Sequence, residues 1–294
     1  MKKLAEQIKR IGVIGNSEKV SCAEAVKRAQ RLIVGAGRKL YSEAVTAELA
    51  GLKAQVCPDA ATLAREVDLL LVFGGDGTML RVAREIAGSH TPILGINIGS
   101  LGFLTAVPSD ELPKALRRVW NDEFKFESRV LLRAKGLAKG RPVECTALND
   151  IVIGRGIASR LIDLEVRVDG EELTRYRCDG LIVSSPTGST AYSLAAGGAV
   201  VFPTAEVLEL TPICPHTLSN RSLILPQTST IEVRVMSQRP ASMLSSDGQV
   251  DSELGKDDVL TICRSHRTVH LMHLEGSSFC DTLRRKLHWS GGTL

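Results

Sequence analysis

The segment 67–73, VDLLLVF, is apolar on both faces and runs directly into Gly74-Gly75-Asp76-Gly77-Thr78. A strand without a polar face must be covered on both sides, as a central strand of a parallel sheet is when helices layer it. The surrounding sequence agrees with that reading. Residues 11–14 (IGVI) read as a first strand, and Ser21 with Glu24 three residues later resembles a capping box opening a helix. Beyond the glycine loop, Met79, Leu80, Ala83, Ile86 and Ala87 share one helical stripe, with Arg81, Arg84 and Glu85 off it. Residues 92–98 give another buried strand, which runs into Gly99-Ser100-Leu101-Gly102, and a further helix is expected at 112–120. This alternation predicts an α/β domain with a parallel, Rossmann-like sheet at 1–126.

From 127 onward the texture changes to strands separated by turns, at 129–135, 143–153, 161–168, 172–177, 222–225, 231–236, 259–263 and 269–274. Asp169-Gly170 is a strong two-residue hairpin signal. Helical periodicity is scarce until Gly188. A second, mostly β, sandwich-like domain is therefore expected at 127–271, with a closing segment, 272–294, that is helical and packs back on the first domain. A chain of 294 residues is long enough for two cores.

Composition narrows the function class. The 37 basic and 33 acidic residues are dispersed, and a net charge of +4 without a polybasic stripe suits a small anionic ligand better than a nucleic-acid backbone. Arg284-Arg285-Lys286 reads as a solvated helix face. Seven cysteines, odd in number and never spaced C-x-x-C, suggest neither a disulfide framework nor a zinc site, so a reducing compartment is expected. No apolar run has the length of a signal-peptide core or a membrane span, and a cytoplasmic location follows as the expectation.

Gly74, Gly75, Gly77 and Thr78 form the candidate phosphate loop: glycines let phosphate oxygens approach peptide N–H groups, and the following helix start favours anions. Strand carboxyl ends are also where open α/β sheets bind ligands. Asp76 would stand at the mouth, able to accept a hydroxyl proton or to help hold a metal. The same five residues could instead be a tight turn with an aspartate capping a helix. There is no G-x-x-x-x-G-K-[ST], and neither Gly35-Ala36-Gly37 nor the Gly95, Gly99, Gly102 spacing makes a dinucleotide fingerprint. HExxH, G-x-S-x-G and a protein-kinase catalytic loop are also missing. His216 reads as a structural histidine, since nothing near it in sequence supplies a nucleophile with an orienting acid.

Five blocks together resemble the ATP- or polyphosphate-dependent NAD kinases. They are GGDGT at 74–78, Gly95-Ile96-Asn97 through Gly99-Ser100-Leu101-Gly102-Phe103-Leu104, Leu148-Asn149-Asp150 with Ile151-Val152-Ile153, Asp179-Gly180 through Pro186-Thr187-Gly188-Ser189-Thr190-Ala191-Tyr192-Ser193 to Gly197-Gly198, and 215–219. GGDG alone is shared with diacylglycerol, sphingosine and phosphofructo-kinases, which lack the TGSTAYS block. The resemblance implies transfer of a terminal phosphoryl group from ATP or polyphosphate to the 2′-hydroxyl of the adenosine ribose of NAD, giving NADP, with a divalent metal ion (Mg2+ or Mn2+). It implies that Asp76 activates the hydroxyl, and that NAD is bound by Asp76, Gly77, Arg81, Asn149, Asp150, Asp179, Thr190, Ala191, Tyr192, Ser193, Leu194 and Ala195. Arg160, Arg177 and Gln249 align with further contact positions by spacing alone. Asp150 stands where many relatives carry glutamate, one methylene longer. Tyr192 on its own would read as a core aromatic. The resemblance also implies a homo-oligomer, dimer or tetramer. Two alternatives stay open: a lipid or sugar kinase sharing GGDG, and a non-catalytic dinucleotide sensor, whose signature would be loss of the acid that Asp76 supplies.

Overall fold

The computed structural model describes residues 4–105, 107–156, 160–216, 221–238 and 242–289. In chain order it forms β1 (Arg10–Gly15), α1 (Val20–Gly35), β2 (Lys39–Glu43), α2 (Ala44–Ala50), β3 (Gln55–Cys57), α3 (Ala60–Glu66), β4 (Leu69–Gly74), α4 (Asp76–Glu85), β5 (Ile93–Asn97), β6 (Val107–Pro108) and α5 (Leu112–Trp120). There follow β7 (Phe124–Ala138), β8 (Arg141–Ala147), β9 (Asp150–Arg155), β10 (Ile162–Val168), β11 (Glu171–Cys178), β12 (Gly180–Ser184) and α6 (Tyr192–Ala195). The chain ends through β13 (Val207–Ile213), β14 (Leu223–Pro226), β15 (Ile231–Val235), β16 (Ser242–Ser246), β17 (Gln249–Leu254), β18 (Val259–Leu274) and α7 (Phe279–Leu287). Two compact units result, one of 1–128 with 269–294 and one of 129–268.

The first unit is built on parallel pairs in the order β5-β4-β1-β2-β3, with the end of β18 joining β5 through Leu271 and Ile93. Every residue of β4 is buried, which is what its lack of a polar face requires. Phe73, Leu69 and Leu71 pack with Val26, Ile33, Leu116 and Val119 in one core, each such side chain contributing about 1.5–3 kcal/mol on burial. In α4 the buried stripe is Met79, Val82, Ala83 and Ile86.

The second unit is antiparallel. One sheet runs β11-β10-β15-β18, with β7 on β18 and β8 on β7; the other runs β14-β13-β12-β9-β16-β17. Their inner faces share one core that includes Leu132, Leu164, Val233, Leu181, Leu208 and Leu244. The fold is thus an α/β parallel-sheet domain followed by a mostly antiparallel, sandwich-like β domain. Asp169 and Gly170 join β10 to β11 with φ of 51° and 87°, the left-handed pair that a two-residue hairpin needs.

Four local expectations change. The capping box at Ser21 and Glu24 does not form: α1 opens at Val20 behind Lys19, without a side-chain cap, and Glu24 instead meets Lys27 at 3.2 Å. The expected strand 143–153 is two strands, broken at Leu148-Asn149 because the N–H groups there donate to a carboxylate from another turn. The two expected strands 259–263 and 269–274 are one, β18. Strands β12, β13, β16 and β17 were not signalled; β16 (SMLSS) and β17 (QVDSEL) are short and rich in residues with low strand preference.

Candidate active site

In the first unit the glycine loop leaves the carboxyl end of β4. A Cβ at Gly74 would collide with the Thr78 side chain, so the loop needs glycine there for room. None of Gly74, Gly75 and Gly77 has positive φ, so the expected sharp glycine turn is a matter of space and not of left-handed backbone. Gly75 caps α4 in extended conformation, and its carbonyl accepts from Thr78 N at 3.1 Å and Met79 N at 3.2 Å. Around Gly75 and Gly77 a Cβ would meet nothing within 4 Å, leaving that face open to a ligand. The helix start adds N–H groups that have no intrahelical acceptor.

Asp76 is the first residue of α4, and the second glycine loop folds onto it. Its Oδ1 accepts from Leu104 N (3.0 Å), Thr105 N (3.2 Å) and Thr105 Oγ1 (3.2 Å), while its Oδ2 accepts from Phe103 N at 2.8 Å. The loop can come this close because Gly102 has no side chain: a Cβ there would fall on the Asp76 carboxylate. Asn97 fixes the loop from below, donating to Ser100 O (2.6 Å) and Thr105 Oγ1 (2.9 Å). A carboxylate offers about four lone-pair directions. Three donors saturate Oδ1, and Oδ2, with one, retains a direction for an incoming hydroxyl. From the C-terminal segment, Lys286 donates to Leu101 O at 2.8 Å and lies 5.6 Å from the Phe103 ring, while Phe279 meets Phe103 at 6.3 Å. The basic run read as solvated thus sends one lysine to the loop that holds Asp76.

Arg81 faces two carboxylates. Its guanidinium lies 3.1 Å from Glu85 and 3.6 Å from Glu43. Burial pushes the Glu43 carboxyl up from its ordinary range, and Arg81 opposes that shift.

In the second unit a second group of expected residues lies at one end of the sheet β14-β13-β12-β9-β16-β17. Asp150 begins β9 opposite Ser184, the last residue of β12. The chain after β12 locks onto the preceding turn: Ser185 N donates to Asn149 O at 2.8 Å, Ser185 Oγ to Leu148 O at 2.5 Å, and a Cβ at Gly188 would strike the Asn149 carbonyl. Asp150 is 4% exposed, and burial together with the neighbouring Asp247 pushes its carboxyl up to about 7.

Thr190 and Ala191 are half-buried, Leu194 is half-buried and Ala195 exposed. Tyr192 is 48% exposed, which removes the core-aromatic reading and leaves a ring face available. Ser193, by contrast, is fully buried, its hydroxyl 2.9 Å from both Glu209 Oε2 and Thr211 Oγ1, so it anchors α6 from inside. Asp179 pairs with Arg155 at 2.8 Å. Arg177 lies on β11 opposite Asp163, and Arg177, Arg160 and Gln249 are exposed. His216 N donates to Arg177 O at 2.7 Å; the rest of the 215–219 block, Thr217, Leu218 and Ser219, lies outside the described residues.

Two acids escaped the sequence reading. Asp247, in the β16–β17 turn, accepts from Leu148 N (3.1 Å), Asn149 N (2.7 Å) and Asp150 N (3.4 Å), and its own N–H donates to Asp150 O at 3.0 Å. Its signal was available: Asp247-Gly248, with φ of 48° and 78°, repeats the Asp169-Gly170 hairpin pattern. Glu209, 1% exposed on β13, accepts from Ala199 N at 2.6 Å as well as from Ser193, and no motif marks it.

An acid on an open glycine loop, at the carboxyl edge of a parallel sheet, is the arrangement of the GGDG class of phosphotransferases. The Asn149-Asp150 turn and the block around Tyr192 narrow that class. Residues 11–124 match the family model of the ATP-NAD kinase N-terminal domain, and 148–274 that of the ATP-NAD kinase C-terminal domain. The chain is 40% identical over 280 residues to the NAD kinase of Thiobacillus denitrificans, covering 95% of this chain and 96% of that one. It is 41% identical over 289 residues to the NAD kinase of Moorella thermoacetica, covering 97% and 91%. Among solved structures it is similar to yeast NADH kinase complexed with NADH (TM-score 0.89, 27% identity, 98% of this chain and 89% of that one). It is also similar to an NAD kinase from Archaeoglobus fulgidus in complex with ATP (TM-score 0.74, 25% identity, 96% and 100%). The chain belongs to the NAD kinase family, and its activity is the phosphorylation of NAD to NADP.

Proposed function

We propose that the chain transfers the terminal phosphoryl group of ATP, or of polyphosphate, to the 2′-hydroxyl of the adenosine ribose of NAD. The observation that carries this reading is the asymmetry of Asp76. Oδ1 is held by three donors and Oδ2 by one, so the carboxylate is rigidly aimed while one oxygen keeps room for the ribose hydroxyl. Phosphoryl transfer passes through a loose transition state in which positioning matters more than early proton removal. Asp76 Oδ2 orients the attacking oxygen in line and takes its proton as the new P–O bond forms and the bond from the terminal phosphorus to the donor's bridging oxygen breaks, releasing ADP or a polyphosphate one unit shorter. Gly75 and Gly77 leave space for the donor phosphates, and the α4 N-terminus favours their charge.

A divalent cation, Mg2+ or Mn2+, belongs to the same proposal as a companion of the donor, since ions of this kind are commonly held by substrate phosphates plus one or two carboxylates. Bound with the donor, it would neutralise phosphate charge, since the open direction of Asp76 Oδ2 is given to the ribose hydroxyl.

On the acceptor side, the Asn149 amide can donate to and accept from an adenine edge, the Asp150 carboxyl can bond neighbouring ribose hydroxyls, and Tyr192 offers a stacking face. Thr190, Ala191, Leu194, Ala195, Asp179, Arg160, Arg177 and Gln249 complete the proposed NAD contacts. Ser193 supports them through Glu209. A homo-oligomer, dimer or tetramer, and a cytoplasmic setting belong to the same proposal; the seven free cysteines support a reducing compartment. Among the described residues no helix is long and apolar enough to cross a membrane.

Steady-state kinetics of Asn149→Ala and Asp150→Ala test the acceptor assignment. The NAD KM should rise by about tenfold or more while the ATP KM moves little, the size expected for one or two lost hydrogen bonds. Equal losses for both substrates would mean that the pair serves the fold alone.

A further inference from the structure

The phosphates of a nucleoside triphosphate are commonly met by a lysine or arginine of the chain, and the arginine nearest the glycine loop in sequence, Arg81, already faces two carboxylates, Glu43 and Glu85. The segment between β1 and α1 offers another. Sheet order places β4 between β1 and β5, so the GGDGT loop is flanked by the chain leaving each of these strands. Asn16, just past β1, fastens its segment to the β4 side: its N–H donates to Phe73 O at 2.9 Å and its Nδ2 to Thr78 Oγ1 at 3.3 Å. Its Oδ1 and carbonyl accept from Glu18 N (2.8 Å) and Lys19 N (3.3 Å), which fixes the turn from which Lys19 projects. Lys19 is exposed, yet its Nζ reaches to the end of β5, donating to Ile98 O at 3.0 Å. It ends 3.7 Å from where a Cβ on Gly99 would sit, and Gly99 has a φ of 125° that only glycine adopts readily.

The lysine therefore spans from the end of β1 to the end of β5, on either side of the strand that carries GGDGT. An ammonium has three donors, and the Ile98 carbonyl occupies one of them. That carbonyl is neutral, so the full positive charge stays available at the mouth of the loop. A flexible point charge is also what phosphate binding by lysine uses elsewhere, in contrast to the planar fork of arginine.

We propose that Lys19 is the phosphate-binding cation of the donor site, contacting the phosphates of a nucleoside triphosphate seated on the GGDGT loop while braced on Ile98. This rests on the reading of the chain as a kinase that uses such a donor. Its role differs from that of Asp76, which handles the acceptor hydroxyl.

The test compares the purified full chain with Lys19→Met and Lys19→Arg. Rates are measured with ATP varied at saturating NAD and with NAD varied at saturating ATP, alongside calorimetric binding of ATP and of inorganic tripolyphosphate, and thermal unfolding. Lys19→Met should weaken ATP and tripolyphosphate binding and raise the ATP KM by about tenfold or more, the scale of one charge-assisted contact. The NAD KM should stay within about threefold, Tm should hold, and Lys19→Arg should recover most of the loss. Unchanged ATP KM and tripolyphosphate binding would overturn the proposal. So would equal losses for both substrates with a lowered Tm, which would make Lys19 a strut between Asn16 and Ile98. If the unaltered chain forms no NADP, the kinase reading fails by itself, and the tripolyphosphate comparison still decides the role of Lys19.

Discussion

Replacing Asp76 with asparagine should damage the fold locally as well as the chemistry, and the hydrogen bonds say by how much. The carboxylate gathers four donors from 103–105, three on Oδ1 and one on Oδ2. An asparagine amide has a single acceptor oxygen. Its best placement keeps that oxygen under the three donors and points the NH2 at Phe103 N–H, so one bond becomes a donor facing a donor. A hydrogen bond to a charged group contributes about 1.5–3 kcal/mol and a neutral one about 0.5–1.5 kcal/mol. One bond lost and three weakened would give about 4.5–7.5 kcal/mol in a fully buried site. Asp76 is only half-buried, which lowers the expected cost to about 2–4 kcal/mol. At about 2–4 °C per kcal/mol for units of this size, Tm should fall by roughly 4–16 °C, measurable by calorimetry. Turnover should drop by about 10² to 10⁴ or more, the usual range for losing a positioned proton acceptor. A loop acid that served only substrate would leave Tm unchanged. An asparagine variant with unaltered Tm would therefore refute the four-donor geometry, and one with near-normal kcat would reduce Asp76 to a helix cap.

Three further outcomes follow from the electrostatics. The Asp150 carboxyl is raised from 3.8 to about 7 in the folded chain, so between about pH 4 and pH 7 the unfolded state loses a proton that the folded state keeps. Its contribution to stability is greatest below pH 4, declines by at most on the order of 4 kcal/mol up to pH 7 and is flat above; urea unfolding across this range should show the slope, and Asp150→Asn should reduce it, leaving the part due to other raised carboxyls such as Glu43. Removing the charge of Asp247 with Asp247→Asn should move the transition to lower pH, and a slope that stays put would deny their coupling. Arg81→Ala should leave both substrate KM values within about threefold and cost about 1–2 kcal/mol by leaving the buried Glu43 without its cation; a large rise in either KM would return Arg81 to the ligand surface.

The parallel half was readable because its signals are local. A strand apolar on both faces, a glycine loop and a helical stripe each occupy a few consecutive residues, and β4, α4 and β5 stand where those signals fall. The break between β8 and β9 was not readable, because its cause lies 99 residues away, where Asp247 draws the Leu148 N–H out of the strand ladder. The Asp247-Gly248 turn shows that a legible hairpin signal can carry a side chain whose purpose only its tertiary neighbours reveal. Ser193 shows the converse: a hydroxyl in a motif suggests a ligand contact, but the buried Glu209 beneath it decides which way it faces. GGDGT singled out Asp76, while the donors that aim it come from a loop nearly thirty residues on. Lys19 and Lys286 carried no signal, since a lysine near a helix end is ordinarily solvated.

The central claim, that this chain places a phosphoryl group on the adenosine ribose of NAD, is tested most directly by the product. Purified protein should be incubated with NAD, Mg2+ and either ATP or polyphosphate, and the new phosphate located by chromatography against NADP and by phosphorus NMR. A single product identical to NADP, phosphorylated at the adenosine 2′ position, is the expected result. Absence of NADP with both donors under these conditions, or a phosphate on the nicotinamide ribose, would contradict it.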